Sequence, residues 1–259
     1  MRSYLFVPGD RAERFDKALA TGAHAVIIDL EDAVPPEAKL SARAAIGQWL
    51  HPDKPVYLRC NAHGTPWFDG DLALLDHPAV CGLVLPKAQE PDLLIQLAKS
   101  LRPDQRLLPI VESVYGWDRA RELASAPLVD RLLFGSVDFA SDAGMGSDGE
   151  ELNAVRTHLV LVSRLAGVRS PVDGVTLAFG DEQAAKFTFL GKLHVTVHRV
   201  LVHGEQRKTD VVLVGQGAAR AVLVNITHLK VFKVAAIRSA VALGSDFASS
   251  DHGFSCVWF

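Results

Sequence analysis

The sequence predicts an α/β protein folded as a single TIM (β/α)8 barrel, and three observations support this. The chain has 259 residues, close to the roughly 250 residues of such a barrel. Over its first three-quarters, short apolar runs alternate with amphipathic stretches, as strands alternate with helices. The predicted strands are apolar on both faces and do not alternate with polar residues, as expected of parallel strands covered on both faces. An open doubly wound sheet is the alternative architecture.

Four strands are predicted in the first half of the chain. The second of them, AVIIDL, is apolar almost throughout. The helix before it places Phe15, Ala18 and Leu19 on one face, and Gly22 then ends that helix. The predicted strands are residues 3–8, 25–30, 56–60 and 82–86, and the predicted helices lie near residues 11–21, 38–50 and 91–101.

The second half continues the alternation and brings the predicted strands to eight. After a polar, glycine-containing loop at residues 141–149, a helix places Leu152, Val155, Leu159 and Val162 on one stripe. The remaining predicted strands are residues 107–111, 131–135, 172–177 and 193–197, and further helices lie near residues 117–124 and 181–190.

The last part of the chain follows a different pattern. It is rich in valine and alanine, holds four of the ten histidines and shows weak periodicity. A further helix is predicted near residues 231–243. We therefore expect a barrel core at residues 1–197, followed by an atypical C-terminal segment at residues 198–259 whose structure the sequence leaves open.

Composition restricts the class of partner and the compartment. Hydrophobic residues make up 49% of the chain, enough for a large core, and the net charge of −3 disfavours nucleic acid as a partner. Cys60, Cys81 and Cys256 are odd in number and lack metal-ligand spacing, which fits a reducing cytosol. The apolar run before Pro8 is too short for a signal peptide or a membrane span. We expect a cytoplasmic protein without a membrane partner.

Polar side chains follow the predicted strands and define a candidate site. In α/β barrels the active site lies at the C-terminal ends of the strands, so these side chains should converge on one rim. Two cations, several carboxylates and an amide would meet there. In chain order they are Asp29, Glu31, Asp32, Arg59, Asn61, Lys87, Glu112 and Asp138.

Glu112 and Asp138 are the candidate metal ligands. They follow neighbouring strands, which lie about 4.8 Å apart, so their carboxylates can share one ion. Two carboxylates completed by waters and substrate oxygens suit Mg²⁺, a hard cation that prefers oxygen ligands. A carboxylate after a strand also commonly caps a helix or lies on the surface, and that alternative applies to each residue singly.

Arg59, Lys87 and Asn61 are the candidate substrate-binding residues, together with Glu112. Arg59 would offer its planar fork to a substrate carboxylate or a thioester oxygen. Lys87 would serve the same anion as a point charge. The amide of Asn61 follows the same strand as Arg59 and is expected on the same rim.

The same residues lie in six ordered motifs that resemble the citrate lyase β-subunit family, within the wider group of metal-dependent aldolases and acyl-CoA lyases. That group, the HpcH/HpaI aldolase and citrate lyase superfamily, includes citryl-, citramalyl- and malyl-CoA lyases. The resemblance extends over roughly residues 2–193. Its motifs are SYLFVPGD at residues 3–10, DLEDAV at 29–34, LRCN at 58–61, LPKA at 85–88, IVES at 110–113 and FGSVD at 134–138.

The resemblance implies a TIM barrel with a magnesium site and a trimeric or larger homo-oligomer. Glu112 and Asp138 fall on the family's metal ligands, and Arg59 falls on its substrate-binding cation. Glu31 and Asp32 fall on positions beside the metal. Both are candidates for the general base, although a residue of a neighbouring subunit is an alternative.

The chain departs from the family pattern after Gly191 and Lys192. The family usually continues with a Cys-Ile-His-Pro-like segment, whereas this chain reads LHVTVH. The family's C-terminal part helps to cover the site and to bind the thioester carrier. The lid and the coenzyme A contacts are therefore not assigned to residues of this chain.

The activity that the resemblance implies is a Mg²⁺-dependent carbon–carbon lyase. It would cleave a citryl-type acyl thioester of a 2-hydroxy acid to a keto acid such as oxaloacetate and an acetyl thioester, with coenzyme A or a carrier protein as the thiol. An aldolase acting on a free 2-keto acid and a non-catalytic keto-acid-binding protein are the alternatives.

The GMGSDG stretch at residues 144–149 matches a dinucleotide-binding pattern but follows strand six instead of strand one, which disfavours a dehydrogenase.

Overall fold

The structure is a computed structural model that describes residues 3–146, 150–175, 222–225, 230–233 and 255–258. Six parallel strands form its centre, and each pairs with the next along the chain. They are β1 (Ser3–Pro8), β2 (Ala25–Asp29), β3 (Val56–Arg59), β4 (Val80–Leu85), β5 (Arg106–Val111) and β6 (Leu133–Phe134).

Helical segments connect the strands. Short 3-10 turns precede or extend three of them, at Ala12–Arg14, Pro36–Ala38 and Ala73–Asp76. The α-helices are α1 (Phe15–Ala20), α2 (Lys39–Trp49), α3 (Phe68–Leu72), α4 (Pro91–Ser100), α5 (Val114–Asp118), α6 (Ala120–Ser125), α7 (Ser136–Ala143) and α8 (Leu152–Leu165). The expected α/β class is confirmed.

The strand order places one end of every parallel strand on the same rim. Since the six strands are parallel and consecutive, their C-terminal ends lie side by side from β1 to β6. Closure into an eight-stranded barrel stays a prediction. At the predicted seventh strand, Val172 makes a single parallel bridge to Leu133, and the predicted eighth strand lies outside the described residues.

The other edge of β1 differs from the expected barrel pattern. A short strand near the end of the chain, β9 (Ser255–Trp258), pairs with β1 in antiparallel orientation. In a closed (β/α)8 barrel this edge would instead pair with a parallel eighth strand. The described sheet therefore has seven strands in the order β6-β5-β4-β3-β2-β1-β9.

The core lies between the sheet and the helices that cover it. Every residue of β2 is buried, which agrees with the run of four apolar residues that precedes Asp29 in this strand. The helices contribute single stripes, such as Ile46 of α2 and Leu94 of α4. The stripe predicted for α8 is confirmed, since Leu152, Val155, Leu159 and Val162 are all buried.

Several predicted helices differ in detail from the structure. The first begins as a 3-10 turn, and Gly22, with a φ of 79°, follows its end as predicted. The helix predicted near residues 117–124 is two helices, α5 and α6, because the backbone of Arg119 leaves the helical conformation between them. Two short helices, α3 and α7, were not predicted.

The C-terminal segment is described only at three strands. The start of the helix predicted at residues 231–243 is wrong, because Lys230–Lys233 forms strand β8, which pairs antiparallel with β7 (Val222–Asn225). The β7–β8 strand pair belongs to a separate compact unit from residues 3–175 and β9. The predicted boundary at residues 197/198 and the elements predicted at 181–190 and 193–197 lie outside the described residues. No described helix has the length and apolar character that crossing a membrane requires.

Candidate active site

The predicted site residues follow the C-terminal ends of the six parallel strands. Asp29 ends β2, Arg59 ends β3, and Glu112 follows β5 directly. Asp138 differs from the prediction, because β6 ends at Phe134 and Asp138 lies in the first turn of α7. The order of the strands nevertheless brings these side chains to one rim.

A two-point ion pair between Asp29 and Arg59 fixes the middle of this rim. Nε of Arg59 donates to Oδ1 of Asp29 at 2.7 Å, and Nη2 donates to Oδ2 at 2.6 Å. The Asp29 carboxylate also accepts hydrogen bonds from the backbone N–H groups of Glu31 and Ala33. Asp29 therefore orients the guanidinium and shapes the DLED turn at the same time.

Glu31 lies beside Nη1 of Arg59, the guanidinium nitrogen that Asp29 does not bind. Its side chain is only 7% exposed, and its Oε2 lies 3.0 Å from Nη1 of Arg59. Its Oε1 lies 3.8 Å from Nζ of Lys87. Burial raises the pKa of Glu31 to about 8, although Arg59 acts in the opposite direction. The neighbouring Asp32 is largely exposed, and its Oδ2 lies 3.6 Å from Nη1 of Arg59.

Glu112 is a buried carboxylate held by the backbone at the end of β4. Its Oε1 accepts a hydrogen bond of 2.6 Å from the backbone N–H of Lys87. Burial raises the pKa of Glu112 to about 7; the Lys87 N–H lowers it, and the nearby Asp138 carboxylate raises it further. Glu112 and Asp138 are thus close enough to repel each other, as two ligands of one cation would be in its absence.

The backbone of Lys87 has a conformation that non-glycine residues seldom adopt. Its φ is 49°, in the left-handed region. This conformation directs the backbone N–H toward Glu112, while the half-exposed ammonium lies on the Glu31 side. One residue of the β4 end thereby contacts both carboxylates.

Gly135 allows β5 and β6 to bring Glu112 close to α7. A Cβ atom at Gly135 would lie 2.5 Å from Cβ and 2.6 Å from Oε2 of Glu112, which no side chain tolerates. Its backbone N–H donates to the carbonyl of Val111 at 3.0 Å. The glycine of the FGSVD motif is therefore explained by close packing against the candidate metal ligand.

The segment after Glu112 is tied to its neighbours by side-chain hydrogen bonds. The hydroxyl of Ser113 caps α5 by accepting from the N–H of Gly116 and also accepts from the side chain of Gln89. Asp142 of α7 accepts from the backbone N–H of Val114 at 2.7 Å. These bonds fix the position of Glu112 relative to α7.

Asn61 is bound by a partner that the sequence did not indicate. Its backbone N–H and its side-chain Nδ2 both donate to Oδ2 of Asp71, at 2.9 and 2.6 Å. Asp71 is buried and pairs with Arg43 on its other oxygen. The substrate-binding role of Asn61 remains a prediction, and its amide nitrogen has a structural partner in this state.

Lys39 is a further buried residue of the rim that the sequence analysis missed. Its Nζ donates to the backbone carbonyls of Leu30 and Glu31, at 2.8 and 2.7 Å, and lies over the ring of Trp67. It lies at the start of α2, whereas the sequence analysis considered only polar residues that follow the predicted strands. Lys39 holds the backbone of the DLED turn in place.

The donor set of the rim fits a hard cation. Among the described residues there is no group of three or more His, Cys, Asp or Glu side chains arranged to hold a metal. Glu112 and Asp138 would supply two oxygen ligands, and water or substrate oxygens would complete the coordination. This pattern is typical of Mg²⁺, which retains several waters.

Comparison with known proteins gives one consistent result. A family model described as HpcH/HpaI aldolase/citrate lyase matches residues 2–191, a stretch that contains every predicted site residue. A citrate lyase subunit beta-like protein of Deinococcus radiodurans is 35% identical over 214 residues, which are 74% of this chain and 75% of that protein. A (3S)-malyl-CoA thioesterase of Cereibacter sphaeroides is 31% identical over 192 residues, which are 71% of this chain and 66% of that protein.

Solved structures agree with this result. The citrate lyase beta subunit of Mycobacterium tuberculosis, complexed with oxaloacetate and magnesium, superimposes with a TM-score of 0.66 at 30% identity. The similarity covers 74% of this chain and 86% of that one.

Proposed function

The chain belongs to the HpcH/HpaI aldolase/citrate lyase family, and on that basis we propose that it is a Mg²⁺-dependent carbon–carbon lyase. Its substrate would be a citryl-type acyl thioester of a 2-hydroxy acid. The products would be a keto acid such as oxaloacetate and an acetyl thioester. The oxaloacetate and magnesium bound to the M. tuberculosis relative support this substrate class.

One observation carries the proposal: the buried Glu112, directly after β5, lies close enough to Asp138, in the first turn of α7, for the Asp138 carboxylate to add to the rise in its pKa that burial causes. These two residues would hold the Mg²⁺. When bound, the ion acts as a Lewis acid toward the oxygens of the substrate. The Lys87 N–H and the packing of Gly135 hold Glu112 in place for this role.

The other residues of the rim have distinct parts in the cleavage. Glu31 or Asp32 would take the proton of the substrate hydroxyl, whose oxygen then forms the ketone as the adjacent carbon–carbon bond breaks. The electron pair of that bond moves to the thioester carbonyl, giving an enolate that is protonated to the acetyl thioester. The guanidinium of Arg59, held by Asp29, would stabilise the negative charge on that oxygen. Lys87, with a half-exposed ammonium, would bind the substrate carboxylate.

A single assay separates this function from its alternatives. The full chain is incubated with MgCl2 and citryl-CoA, and keto acid, acetyl-CoA and free thiol are measured; with malyl-CoA, glyoxylate is measured in place of the keto acid. Release of keto acid and acetyl-CoA supports the lyase. Free thiol without keto acid would instead indicate a thioesterase, the activity named for the C. sphaeroides relative. In a parallel incubation, cleavage of a free 4-hydroxy-2-oxo acid to pyruvate and an aldehyde would indicate an aldolase, and binding without turnover a keto-acid-binding protein.

We also propose that the chain works as a homo-oligomer, trimeric or larger, in the cytoplasm. The proposal rests on the resemblance of its motifs and on cysteines suited to a reducing compartment. Light scattering on the purified chain measures the molar mass directly. A mass of one subunit across micromolar concentrations would contradict the oligomer.

A further inference from the structure

The two cations of the rim contact the same carboxylate. Nη1 of Arg59 lies 3.0 Å from one oxygen of Glu31, and Nζ of Lys87 lies 3.8 Å from the other. Glu31 therefore occupies the place between the two positive groups that would otherwise receive an anion. We call this place, bounded by Nη1 of Arg59 and Nζ of Lys87, the carboxylate seat.

Glu31 is held in this seat much less firmly than Asp29 is held beside it. The Asp29 carboxylate accepts two hydrogen bonds from the Arg59 side chain and two from backbone N–H groups. Within the described part of the chain, neither oxygen of Glu31 has a hydrogen-bond partner, although both are buried. A buried carboxylate with ion pairs but no aligned hydrogen bonds has lost its water without full compensation. Displacing Glu31 from Arg59 would therefore break fewer hydrogen bonds than displacing Asp29.

The backbone below Glu31 is fixed independently of its side chain. Lys39 donates to the carbonyls of Leu30 and Glu31, and Asp29 accepts from the Glu31 N–H. A change at the seat therefore requires only rotation of the Glu31 side chain and leaves the turn intact. Since Asp29 occupies Nε and Nη2 of Arg59, a carboxylate ligand must use the outward η N–H groups that Glu31 now faces.

We propose that Glu31 is an internal competitor for the substrate carboxylate: it fills the carboxylate seat in the ligand-free chain, and a 2-oxo or 2-hydroxy acid displaces it. This inference rests on the proposed function, because it takes the ligand of the seat to be the acid fragment of the substrate. In this displacement the carboxylate of the ligand takes the place of the Glu31 carboxylate between Arg59 and Lys87. It also frees the Glu31 carboxylate at the moment the substrate binds.

Calorimetric titration of oxaloacetate into the full chain at saturating MgCl2 tests the proposal, at a pH above 8 so that the Glu31 carboxylate is ionised. Glu31→Gln removes the competing charge and should lower the dissociation constant at least about fivefold, the lower range of site-to-site coupling. Glu31→Asp keeps the charge but withdraws it by one methylene from both cations, so it should also tighten binding. Glu37→Gln, which removes the same charge from an exposed residue nearby, is the matched control and should leave the dissociation constant unchanged.

The outcomes separate the competitor role from the function on which it rests. If the wild type binds oxaloacetate and neither Glu31 variant binds it more tightly, the competitor role is overturned while the proposed function stands. If Glu31→Gln binds oxaloacetate more tightly and Glu31→Asp does not, the negative charge of residue 31 repels the ligand without occupying its place. That result would also overturn the competitor role. Failure of every variant and the wild type to bind would contradict both ideas. Should Glu31→Gln not fold, as judged by its thermal melt, Glu31→Asp decides the question.

Discussion

At the scale of single residues, the contacts of Arg59 depend on the planar shape of its guanidinium as well as on its positive charge. Three of its nitrogen atoms face three different carboxyl oxygens, and two of these contacts form a fork on Asp29. A lysine at this position would keep the charge but can bind only as a point. The structure thus assigns a geometric requirement to a residue that the sequence marked only as a cation.

Arg59→Lys should therefore lower kcat/KM of the lyase reaction by roughly 10²–10³, the loss typical of a removed transition-state donor. The thermal melt and the Mg²⁺ affinity should change much less, because Glu112 and Asp138 do not contact the fork. Steady-state kinetics with the thioester and calorimetry with MgCl2 measure the two effects separately. An unchanged kcat/KM would remove Arg59 from the mechanism.

Glu112 is the residue whose protonation should control metal binding. A metal ligand must lose its proton, and the pKa of Glu112 in the metal-free chain is raised to about 7 by burial and, to a smaller extent, by Asp138. The affinity for Mg²⁺ should therefore rise by roughly tenfold per pH unit up to about pH 7 and level off above it. Titrations at pH 6, 7 and 8 check this, and a flat profile would contradict it.

The raised pKa of Glu112 should also make the metal-free protein less stable as the pH rises. Without Mg²⁺, the free energy of unfolding should fall as the pH rises from 4.5, the ordinary pKa of the group, to about 7. In this range the unfolded carboxyl is ionised while the folded one still holds its proton. Added Mg²⁺ should reverse the loss, and the Glu112→Gln variant, which cannot ionise, should lack this component.

At the scale of elements, the site depends on how closely β5, β6 and α7 approach one another. Gly135 is the contact point, since any side chain there would overlap Glu112. Asp142 links α7 to the start of α5. These contacts join elements that are distant in sequence, so no local pattern predicts them.

Gly135→Ala should displace the Glu112 side chain and weaken Mg²⁺ binding by at least roughly tenfold, within the range seen when residues supporting a metal ligand are changed. Gly47→Ala is the matched control, because a Cβ there meets only ordinary contact with Leu74 and lies inside α2. That control should bind Mg²⁺ normally and gain up to about 1 kcal/mol of stability from helix propensity. Equal Mg²⁺ affinity in both variants would show that Gly135 does not position Glu112.

At the scale of the whole molecule, the sequence predicted what depends on periodic patterns. The six parallel strands, the buried stripe of α8 and the turn at Gly22 follow from local apolar spacing and glycine conformation. The rim residues followed from the rule that barrel sites lie at strand ends. Membership of the family followed from ordered motifs.

What the sequence missed depends on packing between distant segments. Lys39 reaches the DLED turn from a helix, Asp71 takes the Asn61 amide, and β9 pairs with β1 from the far end of the chain. The β8 strand replaced the start of a predicted helix, because weak periodicity does not separate a short apolar strand from a helix. The first three of these omissions concern tertiary contacts, and the fourth concerns a local pattern that was too weak to interpret.

The proposed chemistry depends most on Glu112 and Asp138 holding one cation. A crystal structure of the full chain grown with MgCl2 and oxaloacetate tests this directly. We predict density for one ion about 2.1 Å from an oxygen of each carboxylate, with water and oxaloacetate oxygens completing the shell. An ion bound elsewhere, or the two carboxylates too far apart to share one, would contradict the account.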